Sequence, residues 1–432
     1  MDSLKHCPRA IVTADPGSGK STLLPLFFLE DHHRVLIAQP RRIAARSLAQ
    51  YVAGLRNERV GESIGYRVRY DTCTSARTRL EYVTDGILIR LLQSDPELNG
   101  IDMVILDEFH ERSMNLDLAL ALLMELQSAL RPDLKIIIMS ATLDTLTLSK
   151  WCSAPHFHAP GLIFPNEIHR SKVTIPLAHI VDETTKKVLT VLGDVQTKNC
   201  LVFLPSSRLI HAVHAALSQR THVKINVLYG QQSLSQQTQV IATKDQHVIL
   251  ATNIAETSLT IPDVNRVVDT GWRREARYVR PWASHALFDS RISHFSARQR
   301  AGRANRNGAG KVYQLWTDYE DQSMNAEDPP QISTSNLEQL YLECLYWGVA
   351  PDALGWLTPP PKLALEDAKR LLDRLKVLEG NKLTTTIKSA AKSQLSPRGQ
   401  VVMSSAEHLS TQDKLRVAYI LPLLDGERLP SR

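Results

Sequence analysis

Residues 10–29 read AIVTADPGSGKSTLLPLFFL. The apolar run Ala10–Val12 enters a short loop carrying Gly17 and Gly19, and the loop passes straight into the apolar stretch Leu23–Leu29. That order is strand, glycine-containing loop, helix. Glycines let backbone N–H groups turn inward around an anion, helped by the positive end of the helix that follows. The candidate cradle is Ala14, Asp15, Pro16, Gly17, Ser18, Gly19, Lys20, Ser21 and Thr22. In it Lys20 would reach the terminal phosphates of a nucleotide, and the Ser21 hydroxyl would ligate Mg2+. Ala14 stands where GxxxxGK[ST] has its first glycine, which is tolerable if the position needs no positive φ.

Working outward, Met103–Leu106 is apolar and ends in Asp107-Glu108. Ligands of open parallel sheets bind at the carboxyl ends of the strands. Asp107 would hold Mg2+ through water and Glu108 would polarise an attacking water. An exposed acidic turn is the plain alternative, weakened by the loop at Lys20. His110 lacks a second histidine at ligand spacing, so it reads as a contact to another domain rather than a metal ligand.

Short apolar runs alternate with helical stretches in two series. The first comprises Ala10–Ala14, Val35–Gln39, Leu80–Thr84, Met103–Asp107 and Ile136–Ser140, and the second Leu201–Leu204, Ile225–Leu228, Val248–Ala251 and Val264–Asp269. Continuous apolar runs bounded by polar loops are strands buried on both faces. Their alternation with helices predicts an α/β protein of two tandem parallel-sheet domains. The expected divisions are 1–168, 169–330, a small winged-helix-like domain over 331–402, and the start of a helical element over 403–432. Within the third, helices are expected at Leu337–Trp347 and, after Pro359-Pro360-Pro361, at Leu365–Leu378, with a strand-like tail over Lys382–Val401.

Residues 296–306 read SARQRAGRANR, with arginines at 300, 303 and 306. On a helix such spacing shares one face. Guanidiniums in a row need phosphates or carboxylates, or else form a solvated basic face, and taken alone the row reads as the latter. Arginine at a γ-phosphate, with Gln299 orienting water, is the functional option. Ser140-Ala141-Thr142 ends a strand and could link sites by hydrogen bonds. Arg41 and Arg42, Thr84-Asp85-Gly86 and Thr252-Asn253 occupy strand ends and suit a nucleic-acid backbone, with no base code. Arg273, Arg274, Arg277 and Arg280, interleaved with Tyr278 and Trp282, are either a hairpin beside such a track or a surface loop.

The chain has 51 Lys+Arg against 45 Asp+Glu, a mild surplus that fits a polyanion partner without requiring one. Its five scattered cysteines form no CxxC pair, which argues against a zinc site or disulfide framework and for a reducing, cytoplasmic setting. No apolar stretch approaches the length of a membrane span, so no membrane partner is expected.

In order, GSGKST, QPRRIAA, VTDGIL, DEFHERS, MSATLD, VFLP, LATNIAETSLTIP, VVDTG and QRAGRANR resemble the DEAH/RHA family of superfamily 2 helicases, over about Ala10–Gly310. DEFHERS and the helix expected over Leu116–Leu126 look like its bacterial HrpB-type branch. The resemblance implies two RecA-like domains with ATP between them, other NTPs also being used. It implies hydrolysis coupled to movement along or opening of single-stranded or structured RNA, 3′ to 5′, with DNA an open alternative. By resemblance Lys20, Ser21, Asp107 and Glu108 are the phosphate, magnesium and water-activating residues. Gln299, Arg303 and Arg306 serve the γ-phosphate, Ser140 and Thr142 couple, and Arg41, Arg42, Thr84 and Thr252 touch the strand. An ATP-gated clamp without strand separation is the second option. Asn305 replaces the second glycine of QRAGRAGR; asparagine tolerates a left-handed backbone better than most residues, but the change is expected to weaken the approach of Arg306. Relatives of this branch usually continue with further C-terminal domains, so a fragment or a shortened paralogue is expected.

Overall fold

The computed structural model describes all residues except 1–3, 5, 16–17, 30–33, 142–144, 162–163, 244, 257–260, 280–283, 307, 381, 385–395 and 425–432. Eight strands form the first sheet: β1 (Arg9–Ala14), β2 (Val35–Gln39), β3 (Ile64–Val68), β4 (Asp71–Cys73), β5 (Leu80–Thr84), β6 (Met103–Leu106), β7 (Lys135–Ser140) and β8 (His156–Ala159). Their order is β4-β3-β5-β2-β6-β7-β1-β8, parallel throughout except for β4. β2, β5 and β6 are buried at every position, as strands covered on both faces must be.

The second series supplies β9 (Asn166–Arg170), β10 (Asn199–Phe203), β11 (Lys224–Leu228), β12 (His247–Ala251), β13 (Val264–Asp269), β14 (Trp272–Val279), β15 (Ser284–Arg291) and β16 (Gly310–Gln314). Six of them make an all-parallel sheet ordered β11-β12-β10-β13-β16-β9. β14 and β15 pair antiparallel, which settles the arginine-rich stretch as a hairpin. Arg280 and Trp282 lie outside the described residues. Edge strand β9, the sequence NEIHR, is largely exposed, so no apolar run announced it.

Residues Met1–Thr84, Ile101–Glu111 and Lys135–Pro329 form one compact unit, which holds both large sheets. Asp85–Gly100, Arg112–Leu134 and Pro330–Arg432 form a second. Within the second, the helix Met114–Ala129 is apolar on nearly every side, with Leu116, Leu118, Leu120, Leu122, Leu123 and Leu126 all buried. A helix apolar all round needs cover on more than one face. The C-terminal segment supplies part of it: Trp347 Nε1 donates to Glu125 at 2.8 Å, Arg112 to the Thr358 hydroxyl at 2.8 Å, and Gln93 to Glu343.

The helices Glu338–Trp347 and Lys362–Arg374 are present. The second begins directly after the prolines and stops short of Leu378, because the chain turns through Lys376 at φ 55° into a two-stranded pair, Leu378–Glu379 with Lys382–Leu383. The expected strand-like tail is corrected at its end: Pro397–Ser405 is a helix. Ser396 caps it by accepting from the Gly399 N–H at 3.1 Å, with proline in the first turn. Thr411–Leu424 is helical as well. Among the described residues no helix is long and apolar enough to cross a membrane, and no disulfide is formed.

Candidate functional site

In the first sheet β7 lies between β6 and β1. The acidic loop after β6 and the glycine loop after β1 therefore emerge at the same edge, with Ser140 between them. Gly19 sits at φ +79°, and a Cβ there would meet Leu23 Cδ1 at 2.8 Å, so this position requires glycine. Ala14 is the last residue of β1 and has no positive φ, which is why alanine is accepted there. Pro16 and Gly17 lie outside the described residues. Asp15 accepts from the Gly161 N–H at 3.1 Å, and the Thr22 hydroxyl donates to the Gly19 carbonyl at 3.2 Å.

Lys20 Nζ stands 3.6 Å from Asp107 Oδ1 and 3.4 Å from Glu108 Oε2. Burial alone would lower the Lys20 pKa, but Glu108 and Asp107 raise it. Burial pushes Asp107 up, partly offset by Lys20. Burial pushes Glu108 up too, yet Lys20, His110 and Arg303 together outweigh it and hold that carboxylate below the usual range. Glu108 adopts φ 51°, a strained backbone for a non-glycine residue that aims its carboxylate at Lys20. Asp107 is fully buried. Its Oδ2 accepts from Gln39 Nε2 at 2.6 Å, its Oδ1 from the Glu108 N–H at 2.8 Å, and the Ser21 hydroxyl bonds to it as well.

A nucleotide with Mg2+ fits this donor set. Among the described residues the buried Ser18 hydroxyl and Gln39 Oε1 lack partners, and such orphans ask for a ligand or water. Ser21 and Asp107 already present two hard oxygen ligands side by side. Among the described residues no group of three or more His, Cys, Asp or Glu is arranged to hold a metal.

His110 is pushed down to about 4 by burial, so its imidazole is neutral. Its Nδ1 lies 3.6 Å from Glu108 Oε2 yet also accepts the Ala141 N–H at 3.3 Å. Nδ1 cannot carry a proton and accept one, and the Ala141 N–H, which is always a donor, decides for acceptance. The ring packs on Phe295, from the stretch that carries the arginine row, with centroids 5.0 Å apart. The Ser140 hydroxyl sits 3.4 Å from Nδ1, while Thr142 lies outside the described residues.

The arginine row does not share one helix face. The helix His294–Ala301 ends at Gly302, whose N–H bonds the Arg298 carbonyl at 2.8 Å, and Arg303 and Arg306 follow in turns. Arg300 is 1% exposed. It donates to Glu256 at 2.9 Å and Asp269 at 2.9 Å and lies over the Phe203 ring, so it meets carboxylates rather than phosphate. Arg303 Nε donates to the Glu256 carbonyl at 2.9 Å. Burial, then Arg306 and Arg41, press the Arg303 pKa downward, and both Arg303 and Arg306 feel Glu108. Gln299 is half-buried on the preceding helix turn. Asn305 has no positive φ, and its side chain donates to the Phe164 carbonyl at 2.5 Å, so a left-handed backbone is not required there.

Of the strand candidates, Arg42 is exposed and opens the helix Arg42–Leu55, whose first turn has no side-chain cap and no acidic residue. Thr84 is buried opposite Gln39 in the register of β5 with β2. Asp85 is occupied within the fold, accepting from the Ser113 hydroxyl at 2.8 Å and from the Gly86 N–H at 2.7 Å. Thr252 is half-buried and Asn253 exposed beyond β12. The roles of Gln39 on Asp107, of Glu111 on Arg41 and of Glu256 on Arg300 were missed by sequence reasoning.

Two RecA-like parallel sheets, a glycine loop with lysine, an acidic strand end and arginines that follow a helix of the second series define a P-loop helicase architecture. Residues 2–150 match the family described as DEAD/DEAH box helicase, and residues 183–308 match the helicase conserved C-terminal domain. The chain belongs to the DEAD/DEAH-box helicase family, and its likeness within it is to HrpB-type members. It is 39% identical over 418 residues to the ATP-dependent RNA helicase HrpB of Escherichia coli (strain K12), covering 94% of this chain and 51% of that protein. It is 33% identical over 376 residues to the probable ATP-dependent RNA helicase DHR2 of Saccharomyces cerevisiae, covering 82% and 51%. The crystal structure of E. coli DEAH/RHA helicase HrpB superposes with a TM-score of 0.89 at 38% identity, covering 100% of this chain and 55% of that one. The chain thus spans about half the length of these relatives.

Proposed function

We propose that this chain is the ATP-hydrolysing motor of a nucleic-acid helicase or translocase acting on RNA in the 3′ to 5′ direction. One observation carries the reading: Lys20, Asp107 and Glu108 of the first sheet share one electrostatic neighbourhood with Arg303 and Arg306 of the second. Ser21 and Asp107 would hold Mg2+, which screens the phosphate charge. Lys20 binds the terminal phosphates, and in leaving Glu108 it releases the restraint that keeps that carboxylate a poor base. Glu108 then holds a water for in-line attack, with Arg303 and Arg306 set against charge developing on the γ-phosphate and Gln299 near the water. His110, packed on Phe295, and Ser140 relay the closure between domains.

For the strand we assign Arg41, Arg42, Thr84, Thr252 and Asn253, together with the uncapped first turn of Arg42–Leu55. Residues 331–402 are read as a winged helix from their helices and short strand pair. A cytoplasmic setting agrees with the unbridged cysteines. RNA as the substrate rests on the names of HrpB and DHR2.

ATP turnover should rise on adding single-stranded RNA, and a duplex with a 3′ overhang should be opened faster than one with a 5′ overhang. Turnover that rises without strand displacement would leave the clamp reading standing. No turnover at all would sink both. A second variant tests the cradle: Gln39→Leu keeps volume but removes the donor that orients Asp107. Its kcat should fall by roughly 10- to 100-fold, with a smaller change in nucleotide affinity. Unchanged steady-state kinetics would remove Gln39 from the site.

A further inference from the structure

Arg41 is the residue on which the strand site and the ATP site meet. Its Nη1 donates to the carbonyl of Ile254 at 2.5 Å and more weakly to that of Asn253 at 3.3 Å, both on the second sheet's side. Its Nη2 lies 3.3 Å from Glu111 Oε1. Glu111 closes the one-turn helix Phe109–Glu111 that follows Glu108, and fully buried Phe109 pins that turn. Two residues upstream of Arg41, Gln39 holds Asp107. The end of β2 therefore grips the acidic loop at both ends, at Asp107 and at Glu111, and ties one end to the second sheet.

We infer that Glu111 is a positioning residue that competes with the nucleic-acid phosphate for Arg41: its carboxylate holds the guanidinium in the strand-free protein and yields it when a strand arrives. The inference rests on the proposed assignment of Arg41 to the strand. A phosphodiester oxygen pair and a carboxylate carry the same charge and offer a guanidinium the same two-acceptor geometry, so they exchange like for like. The side chains of Arg41 and Glu111 are each 21% exposed, so a phosphate has access and the bond to be displaced is weak. When Arg41 turns to phosphate, the tie between Glu111 and the carbonyls of residues 253 and 254 is broken. The loop carrying Asp107 and Glu108 then loses that tie at its distal end. Arg41 also acts electrostatically on Arg303 and on His110, so its neutralisation by phosphate is felt inside the ATP site.

The test is a double-mutant cycle on binding of a fluorescent single-stranded RNA, at one fixed salt concentration. Glu111→Gln keeps shape and removes the competing charge, and should bind RNA roughly two- to fivefold tighter. Arg41→Ala should bind more weakly, and in its background Glu111→Gln should change nothing, because the competition has lost its object. Strand-free ATP turnover of Glu111→Gln should shift toward the RNA-stimulated rate, which a merely structural glutamate would not cause. Arg41→Lys keeps the charge without the fork, and should retain RNA binding while losing most of the Glu111 effect. Equal tightening in both backgrounds would mean long-range charge alone, and no tightening would mean no competition. Either result overturns the inference. Failure of the unmodified chain to bind any nucleic acid would instead overturn the proposed function.

Discussion

Lys20→Ala should lower ATP turnover by at least roughly 10²–10³-fold, the scale of removing one preorganised charge partner from a transition state. The expectation follows from the position of Nζ, 3.6 Å from Asp107 and 3.4 Å from Glu108, with Asp107 fully buried and Glu108 partly so. This ammonium neutralises an acidic pair that would otherwise repel itself. With nucleotide bound it is a flexible cation at the head of the glycine loop. Alanine therefore removes phosphate attraction and leaves two carboxylates facing the incoming polyanion, so nucleotide affinity should fall along with kcat. RNA binding measured without nucleotide should be largely retained, because Arg41 and Arg42 do not depend on Lys20. Full turnover in Lys20→Ala would refute the site. Glu108→Gln is the companion: turnover should be lost while nucleotide binding is kept or tightened, since one like charge has gone.

These expectations could be framed from sequence because the glycine loop and the acidic strand end are local words, each a few residues long. The strands buried on both faces were equally legible, since β2, β6 and β12 are apolar at all but one terminal position at most, and β5 is interrupted only by Glu81 before its closing threonine. β3, β4 and β9 were not. β3 contains Gly65 because β4 passes so close that a Cβ would meet the Cys73 carbonyl at 2.5 Å, and β9 turns exposed side chains to the outside. Partners distant in sequence were also invisible. Gln39 and Asp107 are 68 residues apart, and Glu256 and Arg300 are 44 apart, so only the sheet order brings them together. The arginine row shows the same limit. Its spacing suggested one helix face, but Gly302 ends the helix and divides the row into a structural member, Arg300, and two members that feel the charge of Glu108.

That division has a measurable consequence at Arg300. Arg300→Met should destabilise the chain by about 3–5 kcal/mol, because it leaves buried carboxylates without their cation. Asp269 is 1% exposed, and Glu256 also receives the Ser296 hydroxyl, so neither can regain water cheaply. The loss should depend on pH with a definite sign. Burial already raises the Asp269 pKa, and Arg300 is the main influence opposing it. Without Arg300 the folded-state pKa rises further above the unfolded value. A group raised in this way favours the folded state at low pH, where it holds its proton, and that contribution is lost as pH climbs through the folded-state pKa. Thermal melting of Arg300→Met should therefore lie nearer the unmodified protein at mildly acidic pH than at pH 8. Arg300→Lys should rescue little, since a single ammonium does not reproduce a fork reaching Glu256 and Asp269 at once. Turnover should fall as well, because Arg303 is held by the carbonyl of the same Glu256. A variant that melts like the unmodified protein at both pH values would show that Arg300 is not the electrostatic keystone of the second sheet.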